Sequence, residues 1–161
     1  KDVLDRIKSE NEQIWLARNK HTESFDFLTS FIWPAKGRIS GVYGSQRVFN
    51  GVPKRPHFGL DVAAPKGTPV VAPAAGIIRL AHEDMFYSGG TMIIDHGMGV
   101  SSTFLHLSDS YVKPGDKVKQ GQVVAAVGST GRSTGPHLDW RINWFSTRVD
   151  PALVLNLPKL D

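Results

Sequence analysis

From Phe31 onward the 161-residue chain is dominated by short runs of apolar residues, several of them alternating with polar ones, separated by glycine- and proline-rich turns. This pattern predicts strands over 38–43, 68–72, 76–82, 91–95, 100–107, 122–127 and 137–143. The turns between them are Pro65-Lys66-Gly67, Ser88-Gly89-Gly90, His96-Gly97, Pro114-Gly115-Asp116 and the run from Gly128 to Pro136. Closely spaced short strands with little helical periodicity predict a mainly β domain over 31–161, built on an antiparallel β-sheet or sandwich. The stretch 112–122, with two glycine turns around an alternating segment, reads as a hairpin corner. Residues 150–161 hold an Asp-Pro turn and a short Leu-rich stretch expected to pack on the domain. Residues 2–20 differ: they lack Gly and Pro, mix charges of both signs, and set Leu4, Ile7, Ile14 and Trp15 roughly on one helical face, interrupted by Asn11. They predict a short N-terminal helix within a helical segment or linker over 1–30.

Composition narrows the chemistry. The chain has no cysteine, which excludes disulfides, thiolate zinc sites and a cysteine nucleophile. Its net charge of +4 comes from scattered basic residues without a long Lys/Arg run, so no nucleic-acid partner is expected. No apolar run approaches the ~20 residues of a membrane span. The chain starts at Lys1 rather than Met. It therefore reads as a processed or trimmed piece, with a signal peptide, a membrane anchor or a regulatory region as candidates for what precedes it.

A metal site without cysteine is built from His and carboxylates, and six histidines are available: His21, His57, His82, His96, His106 and His137. In extended chain His57, Gly59 and Asp61 share a face, with the glycine leaving room between two groups suited to zinc. His137 and Asp139 likewise share a face, with Leu138 turned to the core. In Phe104-Leu105-His106-Leu107 the alternation sets His106 on the face of Phe104, opposite Leu105 and Leu107. His96, in an Asp-His-Gly turn, reads as a histidine that satisfies backbone groups, and Asp95 as a turn-stabilising acceptor. His82 and His21 are given no role. Tyr87, Arg47-Val48-Phe49-Asn50 and Gly131-Arg132-Ser133-Thr134 fall in expected loops that could wall a groove. Each histidine motif alone is common; the three in this order are not.

Together, the H-x-x-x-D, F-L-H-L and G-P-H-L-D-W motifs resemble the lysostaphin/LytM-type zinc metalloendopeptidases, bacterial cell-wall peptidases. The resemblance extends to Gly37 through Gly44, to HFGLDVAAPKGTPVVAP from His57, to Ile93 through Gly97 and to VKPGDKVKQGQVVAAVGSTGRSTGPH, covering roughly 33–155. It implies that His57 and Asp61 bind zinc, and that His106 and His137 are the active-site imidazoles, serving as general base and as stabiliser of the developing oxyanion. The family's third ligand is the second His of H-x-H, and this chain has Asp139 there. Aspartate is an accepted zinc ligand, but a second carboxylate makes the site less positive and more tolerant of other divalent metals. The resemblance thus implies one Zn2+ per chain on His57, Asp61 and Asp139, and hydrolysis of peptidoglycan peptides in the bacterial envelope, periplasmic or extracellular, by a monomer. The alternative is a degenerate module that binds peptidoglycan or regulates another cell-wall hydrolase. The 112–122 hairpin alone would also suit a biotinyl/lipoyl carrier domain, but no lysine sits in such a motif.

Overall fold

The computed structural model describes residues 2–25, 27, 30–45, 47–49, 52–54 and 57–155, with the backbone alone for 47–49 and 52–54. In chain order the elements are α1 (Asp2–Arg18), β1 (Arg38–Gly41), β2 (Arg47–Phe49), β3 (Val52–Lys54), β4 (Leu60–Ala63), β5 (Pro69–Val71), β6 (Gly76–Met85), β7 (Gly89–Gly97), β8 (Val100–Ser110), β9 (Lys117–Val118), β10 (Val123–Val127), β11 (His137–Trp144), β12 (Thr147–Val149) and α2 (Pro151–Leu155). All seven expected strands are present. Ten strands form one antiparallel sheet, in the order β1-β4-β11-β8-β7-β6-β9, with β12 beside β11 and β10 joining β8 to β5. β2 and β3 form a separate two-stranded sheet, so Arg47–Phe49 is strand rather than loop; Asn50 lies outside the described residues.

The alternation along β11 gives the sheet its two faces. Leu138, Trp140 and Ile142 are almost fully buried in the main core with Phe104, Ile78, Met92, Ile94 and Val124. Each such side chain contributes about 1.5–3 kcal/mol by leaving water. Trp140 keeps its polar atom satisfied by donating from Nε1 to Ser102 Oγ at 3.2 Å, and His96 Nε2 lies 2.8 Å from the same hydroxyl. His96 Nδ1 donates to the Ala75 carbonyl at 2.8 Å, so this histidine is a structural group inside β7. Asp95 Oδ1 accepts from the Gly97 amide, as expected of a turn acceptor. Asp150 caps α2 by accepting from Ala152 N at 2.9 Å, with Pro151 in the first helical position. Val154 and Leu155 pack on the main core, while 156–161 lie outside the described residues.

The opposite face of the sheet centre carries Asp139, Arg141 and Asn143, and α1 lies across its far edge, on β6 and β7. The docked face of the helix differs from the expected stripe. Leu4 and Trp15 are exposed, and the inward positions are Ile7, Glu10, Ile14 and Ala17. Ala17 and Ile14 pack with Leu80, Met85 and Ile93 in a second apolar cluster. Glu10 is inward because its carboxylate does the work of a partner strand: Oε1 accepts from the Phe86 amide at 2.8 Å, and Oε2 pairs with Arg6 at 3.0 Å. A stripe read from apolar residues alone passes over such a position. Glu10→Ala strips the Phe86 N–H of its acceptor and is expected to lower the unfolding free energy by about 1–3 kcal/mol. Urea denaturation checks this, and an unchanged midpoint would contradict the docking role of Glu10.

Candidate metal centre and groove

The site is assembled at the meeting of β4, β11 and β8. Asp61 of β4 and Asp139 of β11 are directly opposed across the antiparallel pair, and Asp139 is in turn opposite Leu105 of β8. His57 lies just before β4, buried, with Nε2 3.0 Å from Asp61 Oδ1. One donor atom each from His57, Asp61 and Asp139 can be chosen so that all lie within 4.8 Å of one another. Two glycines make room for this. A Cβ at Gly59 would lie 2.3 Å from Asp139 Oδ1, and one at Gly41 would lie 2.6 Å from Asp61 Oδ2. Asp61 Oδ1 is buried and accepts no hydrogen bond from the described residues. A buried carboxylate oxygen without a donor is costly, and a cation satisfies it. The residues therefore fit a divalent metal, with His nitrogen and carboxylate oxygens as donors.

Asp139 has a partner that sequence reading passed over. Arg141, two residues on along the same strand face, donates from Nε to Oδ1 at 3.0 Å and from Nη2 to Oδ2 at 2.9 Å. Burial alone would raise the Asp139 carboxyl, but the hydrogen bonds and charge of Arg141 outweigh it and hold the carboxyl below its usual value. Two carboxylates and one guanidinium leave a single net negative charge, as two neutral imidazoles and one carboxylate do. The expectation of a less positive metal site is corrected by this count. The i, i+2 spacing on β11 was the available signal.

His106 reaches the groove by a route that alternation does not give. The β7–β8 register advances two residues on β7, from Gly90 to Met92, against three on β8, from Leu107 to Phe104. The extra residue is a bulge, and His106 within it has φ +65°. Phe104 and Leu107 therefore both face the core, while Leu105 and His106 both line the groove. The expected pairing of His106 with Phe104 on one face is thus corrected. The 128–136 turn backs the ring: His106 Nδ1 donates to the Thr130 carbonyl at 2.7 Å, and Thr130 Oγ1 donates to the Leu107 carbonyl and accepts from Gly90 N. His137 Nδ1 donates to the Gly135 carbonyl at 2.9 Å. Since a carbonyl only accepts, each ring donates from Nδ1 and has Nε2 left for chemistry. The ring centroids are 4.9 Å apart. Burial pushes the His106 pKa down, against the opposing Thr130 contact, and keeps the ring neutral at neutral pH.

His106, His137, Asp61 and Asp139 all line one groove, together with Tyr87, Arg132, Ser133, Thr134 and residues of α1. Arg132 sits over the Tyr87 ring at 4.9 Å. These loop residues were expected to wall a groove. Arg18 of α1, His21 and Arg148 of β12 also line it, and sequence reading gave none of them a role.

Comparison with known proteins places this geometry. The model for Peptidase family M23 matches residues 55–151. Peptidoglycan DD-endopeptidase ShyA of Vibrio cholerae is 40% identical over 126 residues, 77% of this chain and 29% of the relative. The chain thus spans less than a third of that relative's length. A crystal structure from Pseudomonas aeruginosa, described as an M23 peptidase, superposes with a TM-score of 0.82 at 37% identity, over 98% of this chain and 64% of that one. The catalytic domain of lysostaphin from Staphylococcus simulans superposes with a TM-score of 0.66 at 31% identity, over 84% of this chain and 98% of that one. The match over 55–151 includes His57, Asp61, His106, His137 and Asp139, and the chain belongs to peptidase family M23.

Proposed function

We propose that the chain is a zinc-dependent endopeptidase that hydrolyses stem peptides or peptide crosslinks of bacterial peptidoglycan in the cell envelope. One observation carries this reading: His57, Asp61 and Asp139 converge within 4.8 Å, and Asp61 and Asp139 line the groove that also holds the backed imidazoles of His106 and His137. The relatives' activity on peptidoglycan supports the substrate class.

His57, Asp61 and Asp139 would hold the metal, which when bound supplies Lewis acidity and lowers the pKa of a water. The remaining steps belong to the chain's own groups. His106, neutral through burial and fixed by Thr130, offers Nε2 as the proton acceptor. His137, oriented by Gly135, has Nε2 left for the carbonyl under attack, where in its protonated form it donates to the developing oxyanion. Arg141 holds Asp139 in place and offsets the second carboxylate. Other divalent metals remain suited to so oxygen-rich a donor set. The site functions within one chain, so a monomer suffices.

A second reading is favoured by the same Arg141 pair. Both Asp139 oxygens already accept from a built-in cation, which suits a module that binds peptidoglycan, or regulates another hydrolase, without metal.

Purified sacculi distinguish the two. The zinc-loaded protein is expected to release muropeptides, and His106→Ala to reduce release by about 10²–10⁴-fold. Sacculi bound but left uncut at every zinc concentration would overturn the endopeptidase reading. Gly59→Ala, which drives a methyl into Asp139, is expected to weaken zinc binding about tenfold or more by competition titration. Unchanged zinc affinity would remove Asp139 from the donor set.

A further inference from the structure

The groove beyond the metal donors carries two guanidinium groups that have no ion-pair partner among the described residues. Arg18, in the last turn of α1, and Arg148, in β12, both line it. Neither guanidinium makes an ion pair or hydrogen bond among the described residues, and Arg18 Nε and Arg148 Nη1 are buried donors without an acceptor. Arg148 also lies over the Phe58 ring at 5.5 Å, which steadies its plane without neutralising it.

The carboxylates of the groove are engaged elsewhere. Asp139 is taken by Arg141, Asp61 faces His57, and Glu10 is held by Arg6 and the Phe86 amide. The two arginines therefore stand against each other and against Arg141. Burial first, then Arg148 and Arg141, pull Arg18 down to about 10. Below them, Thr103 Oγ1 and Asn143 Oδ1 line the same groove, buried and without partners among the described residues. Thr103 and Asn143 lie on the strands that bear Leu105 and Asp139, so this polar floor continues directly from the metal donors.

Unpaired guanidinium donors beside unpaired polar atoms, in a groove open to a ligand, have the chemistry of an oxyanion receptor. Planar N–H forks match a carboxylate, and a carboxylate is what a peptide threaded past the metal donors brings. We propose that Arg18 and Arg148 form a subsite for a carboxylate of the peptide ligand, which makes the C-terminal end of α1 part of the binding site. The peptide nature of the ligand rests on the function proposed above; the anion site itself does not.

The test uses the whole chain and two small probes, N-acetylalanine and N-acetylalaninamide, followed through the arginine Nε–H signals in 1H–15N spectra. The acid is expected to shift the Arg18 signal saturably and to bind about tenfold or more tighter than the amide. Arg18→Gln and Arg148→Gln should each erase that preference. Both should melt no lower than the parent, since each removes a buried charge without a partner; Arg18→Lys, which keeps the charge but not the fork, should retain part of the preference. Equal response to acid and amide, or a preference that survives both Gln variants, overturns the subsite. The same comparison with a muropeptide and its C-terminal amide is expected to show the same preference. A response to N-acetylalanine with no muropeptide binding would uphold the subsite and overturn the peptidoglycan reading instead.

Discussion

Two carboxylates face each other across neighbouring strands, and much of the surrounding structure exists to make that tolerable. Asp61 and Asp139 are register partners on β4 and β11, where side chains are about 4.5–5.5 Å apart and like charges repel. Asp139 is almost fully buried and Asp61 largely so. Gly41 and Gly59 clear the space the oxygens occupy, and Arg141 neutralises one of the pair. The charge that remains, with the imidazole of His57 turned toward it, defines a place for a cation. The arrangement makes sense as a binding site and little sense as packing, because apolar residues of similar size would fill the same positions at less cost.

The chemistry around this pair depends on backbone devices rather than on side-chain choice alone. A bulge in β8 turns His106 into the groove while Phe104 and Leu107 stay in the core. The 128–136 turn folds over it, presenting the Thr130 carbonyl to the ring and the Thr130 hydroxyl to Leu107 and Gly90. His137 begins the next strand and takes its orientation from Gly135. Two imidazoles thus arrive from different strands with the same nitrogen tied to the backbone and the same nitrogen left for chemistry.

Much of this was legible in the chain. Turn residues delimited the seven principal strands, and period-two alternation set Asp139 opposite Leu138 on β11. What escaped was set by contacts between distant segments. Strict alternation sends Phe104 and His106 to one face, and only the pairing with β7 inserts the residue that separates them. The inner face of α1 includes Glu10, whose place is decided by the Phe86 amide, seventy-six residues away. Arg141 is visible as a residue two places from Asp139, yet its bidentate grip depends on burial that sequence does not reveal. The short strands β9 and β12 have too few residues to carry a period.

If the opposed carboxylates are a cation site, the folded protein should bind zinc and its unfolded chain should not, at least with comparable affinity. The direct measurement is thermal melting of metal-stripped protein with and without zinc. At zinc about a hundredfold above Kd the melting temperature should rise by about 5–10 °C, and Asp61→Asn should abolish the rise. A parent protein that melts at the same temperature in zinc and in chelator would contradict the account.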